Sequence, residues 1–532
     1  MKYFLSKINF EKELKIKGSE LASLNSINKK DNKDNILFSG GSGTIEDPYK
    51  ISNCLELQNI NYNLDANYVL IQDIDCSETK NWNNGKGFEP IGSYNNSFKG
   101  NFYGRNYKII GLFVNKSSFY SGLFGYINNS VITDVILVNP EIIENWYAGS
   151  LVGYSYKGII INSHVRGGNV IAVRALGGLV GANSGSIINS SVENVNVFSY
   201  VLYVGGYVCS TAGGLAGSSS GEIISSYSIS NVSCGGSNSF SIGGLVGSAS
   251  GSIINSYSKG DVRGYYQVGG LVGSSGNLRI INSYSSGNIY NFIQSESGGL
   301  VGFVDGNITI INSFSTASLN SNKARGLVGW IMALKKIEII NSYWNNHSNS
   351  LAYYCWSNQT NNYNDGCVAI QNNEQYFYYI NNPPLESWNF NSIWDDKNDK
   401  ENFPVLKWQE NFVDFCNKNG FCDNGESCSL CPSECVCSLN SPDCVPTHIR
   451  ADIKGCTCIP KWVCTNWSEC INSKKERICK DIKNCGINDG KPAENISCGC
   501  ENIGICIDTN YNNNVEDEEI LCAINKWINS NK

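Results

Sequence analysis

The sequence predicts a mainly β protein built as a parallel β-helix, a solenoid of stacked coils. The motif Gly-Leu-Val-Gly, or a near copy, recurs eight times between Gly122 and Gly329, at a period near 28 residues. Seven copies are followed by Ile-Ile-Asn-Ser or a close variant, and no window of this region shows a helical period. A fixed period of this length is typical of a repeat array, which usually works through its surface rather than through one buried pocket.

Each repeat contains short β-branched runs bounded by Gly, Asn and Ser, which are strand signals. We therefore predict two or three short strands and no helix per repeat. Such a unit cannot bury its apolar face alone, so neighbouring units must stack and place like side chains over like. At the spacing of parallel strands, eight coils give a rod roughly 40 Å long. The equivalent leucines that form a predicted Leu ladder are Leu179, Leu215, Leu245, Leu271, Leu300 and Leu327.

The asparagine of the second motif predicts a further ladder. Its members are Asn255, Asn282, Asn312 and Asn341. Two roles are open for them: bonding to neighbouring amides along the stack, or lining a ligand groove. We favour the first, because stacked coils place these amides directly above one another.

The repeats resemble the GLUG repeat family, which is named for the first motif. Segments outside the array are also similar to that family, at residues 41–49, 68–75, 98–104, 342–344 and 403–408. The resemblance spans about residues 38–408. It implies a parallel β-helix on bacterial and archaeal surface or secreted proteins, often adhesin-like, and it supplies no agreed catalytic residues.

Seven segments follow from these patterns and from the cysteine distribution. They are a poorly ordered lead-in (1–37), N-terminal coils and cap (38–121), the GLUG-repeat β-helix (122–345), a closing segment (346–412), a Cys-rich module (413–445), a second small module (455–500) and a C-terminal loop and helix (501–532).

The 23 cysteines predict an oxidising, extracellular or cell-surface location. Six precede residue 400 and seventeen lie between Cys416 and Cys522, and the odd total leaves at least one thiol free or paired between chains. Cys355 with Cys367 is the one pair we predict, because both lie in one insertion after the last repeat. Residues 1–36 show no signal peptide, so we expect a wrong start, a fragment or another export route. No stretch is long enough to span a membrane.

Two small modules precede the C-terminal segment. In the Cys-rich module, Asp423, Asn424 and Glu426 have side chains that suit a calcium ion. Cys428 and Cys431 have the spacing of zinc ligands, but we expect the cysteines of this module to form disulfides rather than to bind zinc. The next module resembles a reduced thrombospondin type 1 repeat. The residues that match that family's ladder of tryptophans and arginines are Trp462, Trp467 and Arg477. We expect this module to be a small three-stranded unit held by disulfides rather than a ligand site.

The most specific chemical signal is a twelve-residue calcium loop that begins at Asp508. Its oxygen ligands fall at the positions such loops use, and they are Asp508, Asn510, Asn512, Asn514, Glu516 and Glu519. Asn513 stands where the loop normally has glycine, which predicts weaker binding. The segment resembles a single EF-hand or half of a dockerin. Calcium is therefore the predicted cofactor, and the alternative is a flexible polar tail.

Sequence patterns for catalysis are weak. The net charge of −7 excludes a nucleic-acid partner. Charges in the array are scattered singly; Asp261 and Arg263 are close, but nothing in neighbouring coils lines up with them. Asp73 and Asp75 share a strand face in a segment where we expect a structural role. The three histidines, His164, His347 and His448, are expected to be isolated.

The leading hypothesis is a non-enzymatic, adhesin-like protein of the cell surface or exterior, with a glycan or a cell-surface protein as partner. A carbohydrate-active β-helix enzyme, a lyase or hydrolase, is the alternative. A third possibility is a scaffold component that docks a partner through the calcium-loop tail. Carboxylates clustered on adjacent coils favour the enzyme, and small polar side chains on the faces favour the binding rod.

Overall fold

The computed structural model describes residues 38–409 except 117–118, 145, 200–208, 236–238, 294–295, 322, 333–334, 346–353, 359–360, 365, 371–379, 382–383 and 397–402, together with the backbone of six short strands between Cys444 and Ser497. The chain divides into two compact units, residues 1–404 and 405–532. The predicted lead-in at 1–37 and the calcium loop at 508–519 lie outside the described residues.

The first unit is a parallel β-solenoid, which confirms the predicted parallel β-helix. Each full coil runs through five strand positions, which stack between coils into five ladders, numbered here 1 to 5 in chain order. Ladders 2 and 3 share one 19-stranded sheet, while ladders 1, 4 and 5 form sheets of 8, 11 and 8 strands. The prediction of two or three strands per repeat was therefore too low. Asn and Gly residues with a left-handed backbone form additional corners, which divide each coil into more strands.

The strands of ladder 1 are Tyr120–Ser121, Tyr147–Gly149, Ala175–Gly177, Thr211–Gly213, Ile242–Gly243, Val268–Gly269, Ser297–Gly298 and Ala324–Arg325. Those of ladder 2 are Phe124–Asn128, Val152–Tyr156, Val180–Asn183, Ala216–Ser219, Val301–Val304, Val328–Ile331 and Trp356–Asn358, with the first halves of Val246–Ile254 and Val272–Ile281. Ladder 3 holds the second halves of those two strands and Tyr49–Ile51, Tyr68–Leu70, Phe102–Tyr103, Val131–Thr133, Ile159–Ile161, Ser186–Ile188, Glu222–Ile224, Ile308–Ile311 and Ile337–Ile340.

Ladder 4 consists of Ile74–Asp75, Lys108–Ile110, Ile136–Val138, His164–Arg166, Ser191–Glu193, Tyr227–Ile229, Tyr257–Ser258, Tyr284–Ser285, Phe314–Ser315, Ser342–Asn345 and Cys367–Ile370. Ladder 5 consists of Phe113–Asn115, Glu141–Ile143, Asn169–Ile171, Asn196–Ser199, Val232–Cys234, Val262–Gly264, Asn288–Asn291 and Ser318–Leu319. Asn362–Tyr363 pairs antiparallel with the last strand of ladder 2. Helical segments are the α-helix Cys54–Asn59 and the 3-10 turns Ile60–Tyr62, Ser77–Gly85 and Leu385–Ser387.

The Leu ladder is confirmed. Its leucines are fully buried in one continuous core with the inward Val and Ile side chains of the other ladders. Successive leucines are also joined through the backbone, as where Leu245 N donates to Leu271 O at 2.9 Å. Like side chains therefore stack over like, as the repeat period requires.

The Asn ladder is confirmed in its stacking role for Asn255, Asn282 and Asn312, whereas Asn312 Oδ1 accepts no hydrogen bond from Asn341. Asn282 Nδ2 donates to Asn255 Oδ1 at 3.0 Å, and Asn189 bonds Asn162 in the same way at 2.7 Å. These asparagines have φ angles of 47–49°, in the left-handed region that Asn tolerates better than most residues. Ser225 occupies the equivalent corner of one coil with φ 47°. The motif thus supplies a corner as well as a hydrogen-bond ladder.

The serine that follows this asparagine forms a buried ladder that the sequence analysis did not assign. Ser256 Oγ donates to Ile254 O at 2.7 Å and accepts from Ser226 N at 3.2 Å. Its own N–H donates to Ser283 Oγ at 3.1 Å. The hydroxyl therefore satisfies backbone groups at a corner where the strand ladder is interrupted.

We expect Ser256→Ala to lower the free energy of unfolding by about 1–3 kcal/mol, because the variant leaves the buried N–H of Ser226 without its acceptor. Equilibrium urea unfolding measures this. Ser250→Ala, in the same strand Val246–Ile254 but less buried, is the matched control and is expected to change stability by less than about 0.5 kcal/mol. Equal losses in both variants would show that the ladder hydroxyl contributes nothing specific.

Outward rings on ladder 4 form a second stack, capped by the closing segment. The rings are Tyr227, Tyr257, Tyr284, Phe314 and Tyr343, with neighbouring centroids 4.7–5.0 Å apart and nearly parallel planes. Trp388 lies 5.5 Å from the Tyr343 ring, and Trp394 lies 5.8 Å from that of Phe314. The closing segment therefore covers apolar surface that the last coils leave open.

Three disulfides occur in the described part of the chain. Cys355–Cys367 confirms the predicted pair. Cys54–Cys76 ties the N-terminal helix to ladder 4, and Cys209–Cys234 joins adjacent coils. The six described cysteines of this unit are all paired, so the odd thiol expected from the total is not among them.

The second unit is described at few positions. It begins with Val405–Leu406 and a 3-10 turn at Lys407–Gln409. Three antiparallel pairs follow: Cys444–Val445 with Thr457–Cys458, Trp462–Cys464 with Cys479–Asp481, and Lys474–Glu476 with Asn495–Ser497. The Cys-rich segment before Cys444 and the side chains of the predicted thrombospondin-like module lie outside the described residues.

Candidate binding surface

The glycines of the repeat motif create a groove along the solenoid. A Cβ on Gly153 would lie 2.6 Å from Ser121 N and 2.7 Å from Gly125 O. A Cβ on Gly149 would lie 2.5 Å from Val152 O. Because real Cβ atoms do not approach backbone so closely, only glycine lets the strands of ladders 1 and 2 pack backbone against backbone.

The consequence is that outward side chains of ladders 1 and 2 face each other. Ser241 Oγ, beside ladder 1, lies 2.8 Å from Ser274 Oγ of ladder 2. Near the N-terminal end, the rings of Tyr147 and Tyr154 lie 5.9 Å apart across the same corner. We call this surface the groove; its floor consists of the outward residues of ladders 1 and 2.

Four tyrosines fill the N-terminal end of the groove. Tyr126 and Tyr154 stack along ladder 2 with centroids 5.1 Å apart, and Tyr120 and Tyr147 stack along ladder 1 at 5.2 Å. Across the groove the rings meet edge to face, at 5.4 Å between Tyr120 and Tyr126. Both arrangements are favourable aromatic geometries, so the four rings hold one another in place. We call them the tyrosine cluster.

Exposed rings surround the tyrosine cluster. Tyr94 is 68% exposed, Phe119 60% and Trp146 37%. Phe119 lies 5.1 Å from Trp146, and the Arg174 guanidinium lies 4.4 Å from the Trp146 ring. A cavity of about 360 Å³ opens beside them, lined in part by Asn61, Pro90, Tyr94, Asn96 and Phe119. This is a large apolar surface with polar groups at its edge, the composition typical of a ligand site.

Three hydroxyls of the tyrosine cluster, those of Tyr120, Tyr126 and Tyr154, stay protonated at physiological pH. Burial, helped by Tyr154 and Tyr120, raises the pKa of Tyr126 to about 12. Burial and neighbouring tyrosines also raise the pKa values of Tyr120 and Tyr154. The cluster therefore offers neutral O–H groups that both donate and accept hydrogen bonds.

Small residues form the middle of the groove. In ladder 2 the register runs from Tyr154 through Ala182, Ser218, Ser248 and Ser274. Ser274 Oγ donates to Ser248 Oγ at 3.3 Å. None of these middle residues carries a charge.

A second group of rings lies at the C-terminal end of the groove. Phe303 and Trp330 continue the ladder 2 register beyond Ser274. The rings of Phe240 and Tyr266 stack at 5.1 Å beside ladder 1. These four residues line a cavity of about 250 Å³ with Gln267, Glu296 and Gly302. We call the four rings the distal aromatic cluster.

The predicted structural role of Asp73 and Asp75 agrees with their contacts. Asp73 accepts a hydrogen bond from Lys108 N at 2.8 Å, and Asp75 accepts one from Ser77 N at 2.9 Å. The backbone hydrogen bond from Ser77 lowers the pKa of Asp75. Both carboxylates thus fasten turns between coils.

Asp261 belongs to a polar ladder rather than to a charge cluster. It accepts from Asn288 N at 3.0 Å and from Asn288 Nδ2 at 2.9 Å, while its own N–H donates to Asn231 Oδ1 at 3.0 Å. Arg263 Nη2 lies 3.5 Å from the carboxylate. Asp261 therefore joins three successive coils.

The expectation that His164 is isolated was wrong. His164 Nδ1 lies 2.8 Å from Ser191 Oγ in the next coil. Beside this pair, Arg166 Nε lies 3.9 Å from Glu193 Oε2, and the Tyr227 hydroxyl donates to Glu193. These residues meet because ladder 4 places positions 27 to 36 residues apart in register. The scattered charges of the sequence are thus partly assembled by the stack.

Other sequence-predicted site residues cannot be placed. All six calcium-loop positions, His347 and His448 lie outside the described residues. Within the described residues, no three His, Cys, Asp or Glu side chains gather into a metal-binding set. Among the helices of the described residues, none is long and apolar enough to cross a membrane.

Comparison with known proteins assigns the repeats. Residues 238–263 and 264–290 match the GLUG motif. The first unit is a β-solenoid that contains these GLUG motifs, and we call it the GLUG solenoid. The two matched segments each contain ladder strands and a complete glycine corner, and the register between them extends the same pattern to the other coils of the GLUG solenoid.

Two curated relatives share part of the GLUG solenoid. Halomucin of Haloquadratum walsbyi is 40% identical over 152 residues, 26% of this chain and 2% of that protein. A putative Gly-rich membrane protein of Evansella cellulosilytica is 38% identical over 139 residues, 25% of this chain and 16% of that protein. The chain thus matches only a small share of either relative's length.

Two solved structures also resemble it. A putative immunoglobulin A1 protease from Bacteroides ovatus is 20% identical with a TM-score of 0.37, covering 70% of this chain and 95% of that one. An IgA1 protease is 17% identical with a TM-score of 0.34, covering 54% of this chain and 21% of that one. At these scores neither structure informs the activity of the GLUG solenoid.

Proposed function

We propose that the GLUG solenoid is an extracellular, adhesin-like protein whose groove binds glycans. The observation that carries the proposal is the tyrosine cluster with its exposed rim of Tyr94, Phe119 and Trp146. A pyranose ring presents an apolar C–H face and a polar edge. Aromatic rings match the first, and neutral tyrosine hydroxyls match the second.

The rim rings support binding from solution. Trp146 and Phe119 stand at the surface beside a cavity, so a ligand reaches them without unfolding any coil. The rings beneath are fixed by mutual stacking, which reduces the entropy lost when a ligand orders them. A group of exposed aromatic side chains beside a cavity is typical of an interaction site.

The extracellular assignment rests on disulfides. Three pairs form in the described first unit alone, and seventeen more cysteines follow in the second. Such density persists in oxidising compartments.

A carbohydrate-active enzyme is the rival function. Glycoside hydrolysis commonly uses two carboxylates within about 10 Å of each other. Each of the two cavities has one carboxylate in its described lining, Glu89 and Glu296, and Glu89 forms an ion pair with Lys116. A single carboxylate in the described lining of each cavity favours binding over hydrolysis. We therefore expect the protein to release no sugar products when it is incubated with a polysaccharide that it binds.

Glycan-array binding by the full chain tests the proposal. We expect Trp146→Ala and Tyr154→Ala to weaken binding by about tenfold or more, equivalent to about 1.4 kcal/mol, because each removes a ring from the surface. Tyr290→Ala is the control, since Tyr290 lies on ladder 5, away from the groove, against Arg263. Binding unchanged in both groove variants, with thermal stability preserved, would refute the assignment.

A calcium site at Asp508 to Glu519 is proposed for the second unit on the strength of its ligand spacing. If it docks a partner, calcium orders the loop and the following helix. Calorimetric calcium titration of the full chain with and without Glu519→Gln is the test. We expect the variant to lose the bidentate ligand and bind at least tenfold more weakly; superimposable curves would end the proposal.

A further inference from the structure

We propose that the groove holds a long, uncharged linear polysaccharide parallel to the solenoid axis, with one stretch of chain on the tyrosine cluster and another on the distal aromatic cluster. This inference rests on the proposed glycan binding and specifies its ligand. The observation that supports it is a single column of paired ladder 2 residues. The column has aromatic rings at both ends and small residues between them.

The column is defined by strand pairing. From Tyr154 the register passes through Ala182, Ser218, Ser248 and Ser274 to Phe303 in five coil steps, and Trp330 follows Phe303. At the spacing of parallel strands, five steps span roughly 24 Å. This separation is several sugar units long, so a disaccharide reaches only one cluster.

The distal aromatic cluster is a site in its own right. Phe240 is 40% exposed and stacks on Tyr266, while Phe303 and Trp330 come from adjacent coils of ladder 2. Gln267 and Glu296 add hydrogen-bonding groups to the same 250 Å³ cavity. Aromatic rings together with a few polar groups repeat the chemistry found at the N-terminal end.

The middle of the groove suits an uncharged chain. Its ladder 2 residues are one alanine and three serines, and Thr211 and Ser241 stand opposite. Side chains this small place no ring over this stretch, and their hydroxyls suit hydrogen bonding to sugar hydroxyls. A polyanion would gain no opposite charge over this stretch, which contains no Lys or Arg among the named floor residues.

A peptide strand is a poorer occupant. Peptides bind β-sheets chiefly by adding a strand to an open edge. The groove runs along ladders 1 and 2 and across their strands, and the backbone groups of its floor already bond between coils, as in Leu271 N to Leu300 O at 3.0 Å. The groove therefore offers side-chain rings and hydroxyls rather than free backbone groups.

The test compares chain lengths. The full chain is titrated with neutral β-glucan, xylan and mannan polymers and with their fragments of two to eight sugars, with polygalacturonate as the charged comparator. We expect at least tenfold tighter binding for the longest fragments than for disaccharides, with polygalacturonate weaker than the neutral polymers.

Three variants locate the contacts. Trp330→Ala removes a distal ring, and Ser248→Trp fills the middle of the groove; both are expected to abolish the gain with length while short fragments still bind. Tyr290→Ala is again the control. Far-ultraviolet circular dichroism and thermal melting confirm folding, and Ser248→Thr, which adds only a methyl group, is expected to behave as wild type.

The outcomes separate the two proposals. Length-independent binding that is lost in Tyr154→Ala but unchanged in Trp330→Ala and Ser248→Trp would overturn the spanning ligand and leave glycan binding intact. Stronger binding of polygalacturonate would overturn the neutral ligand class. Failure of every glycan to bind the folded protein would overturn both.

Discussion

Replacing Gly273 with alanine is expected to destabilise the solenoid by about 3–5 kcal/mol or to prevent folding. A Cβ at this position would lie 2.3 Å from Ile242 N and 2.6 Å from Gly247 O. These are backbone atoms of neighbouring coils, so no side-chain rotation relieves the overlap. Gly273 has no positive φ, and the cost is therefore steric rather than conformational.

The same strand supplies the control. Gly276 also lies in Val272–Ile281, yet a Cβ there would meet only Ser250 Cβ, at an ordinary 3.6 Å. We expect Gly276→Ala to leave stability unchanged or raise it by about 0.4–1 kcal/mol, since alanine restricts the unfolded chain. Urea unfolding of the two variants measures the difference. If Gly273→Ala is as stable as Gly276→Ala, the backbone packing described for the corner is incorrect.

Acid is expected to destabilise the protein through His164. Burial, aided by the neighbouring Arg166 charge, lowers the pKa of this histidine from 6.5 to about 3 in the folded state. The unfolded chain takes up the proton near pH 6.5, and the folded chain does so only near pH 3. The contribution of neutral His164 is therefore complete above pH 6.5 and is lost as the pH falls towards 3, at about 1.4 kcal/mol per pH unit.

His164→Gln isolates this effect. Glutamine keeps a polar group near Ser191 but does not titrate, so its unfolding free energy should fall less steeply between about pH 6.5 and 4 than that of the wild type. Carboxylates such as Asp75, whose lowered pKa also makes the fold acid-sensitive, are common to both proteins and cancel in the comparison. Parallel pH profiles would show that His164 is not buried in its neutral form.

The two predictions have one origin in the stack. The effect of each residue on stability depends on its contacts with an adjacent coil. Gly273 packs against Gly247, and His164 contacts Ser191. The sequence reveals their recurrence, but their contacts follow from which strand pairs with which.

Much of the fold was predictable from such recurrence. A leucine repeated at a constant motif position must occupy the same place in every coil, so its burial followed at once. The asparagines were correctly placed in a stacking ladder, although their left-handed corners were not recognised. The strand count was too low because corners made by Asn and Gly divide a coil without any gap in its apolar pattern.

The candidate site was harder to predict. Its residues are nevertheless marked in the sequence: the position just after each Gly-Leu-Val-Gly copy is aromatic in the first two and last two copies and small in the four between them. Those aromatic residues are Tyr126, Tyr154, Phe303 and Trp330. Their constant motif position shows that they stack in one column. It does not show that the column lines a groove rather than lying on a flat face of the solenoid.

The sequence alone thus determined the solenoid, its register and which side chains stack, because a repeat period near 28 residues fixes like over like. Only the tertiary structure decided that ladders 1 and 2 meet at an angle and face their outward residues into one groove. That angle depends on backbone atoms approaching where glycine has no Cβ, a contact between different coils that no local pattern encodes.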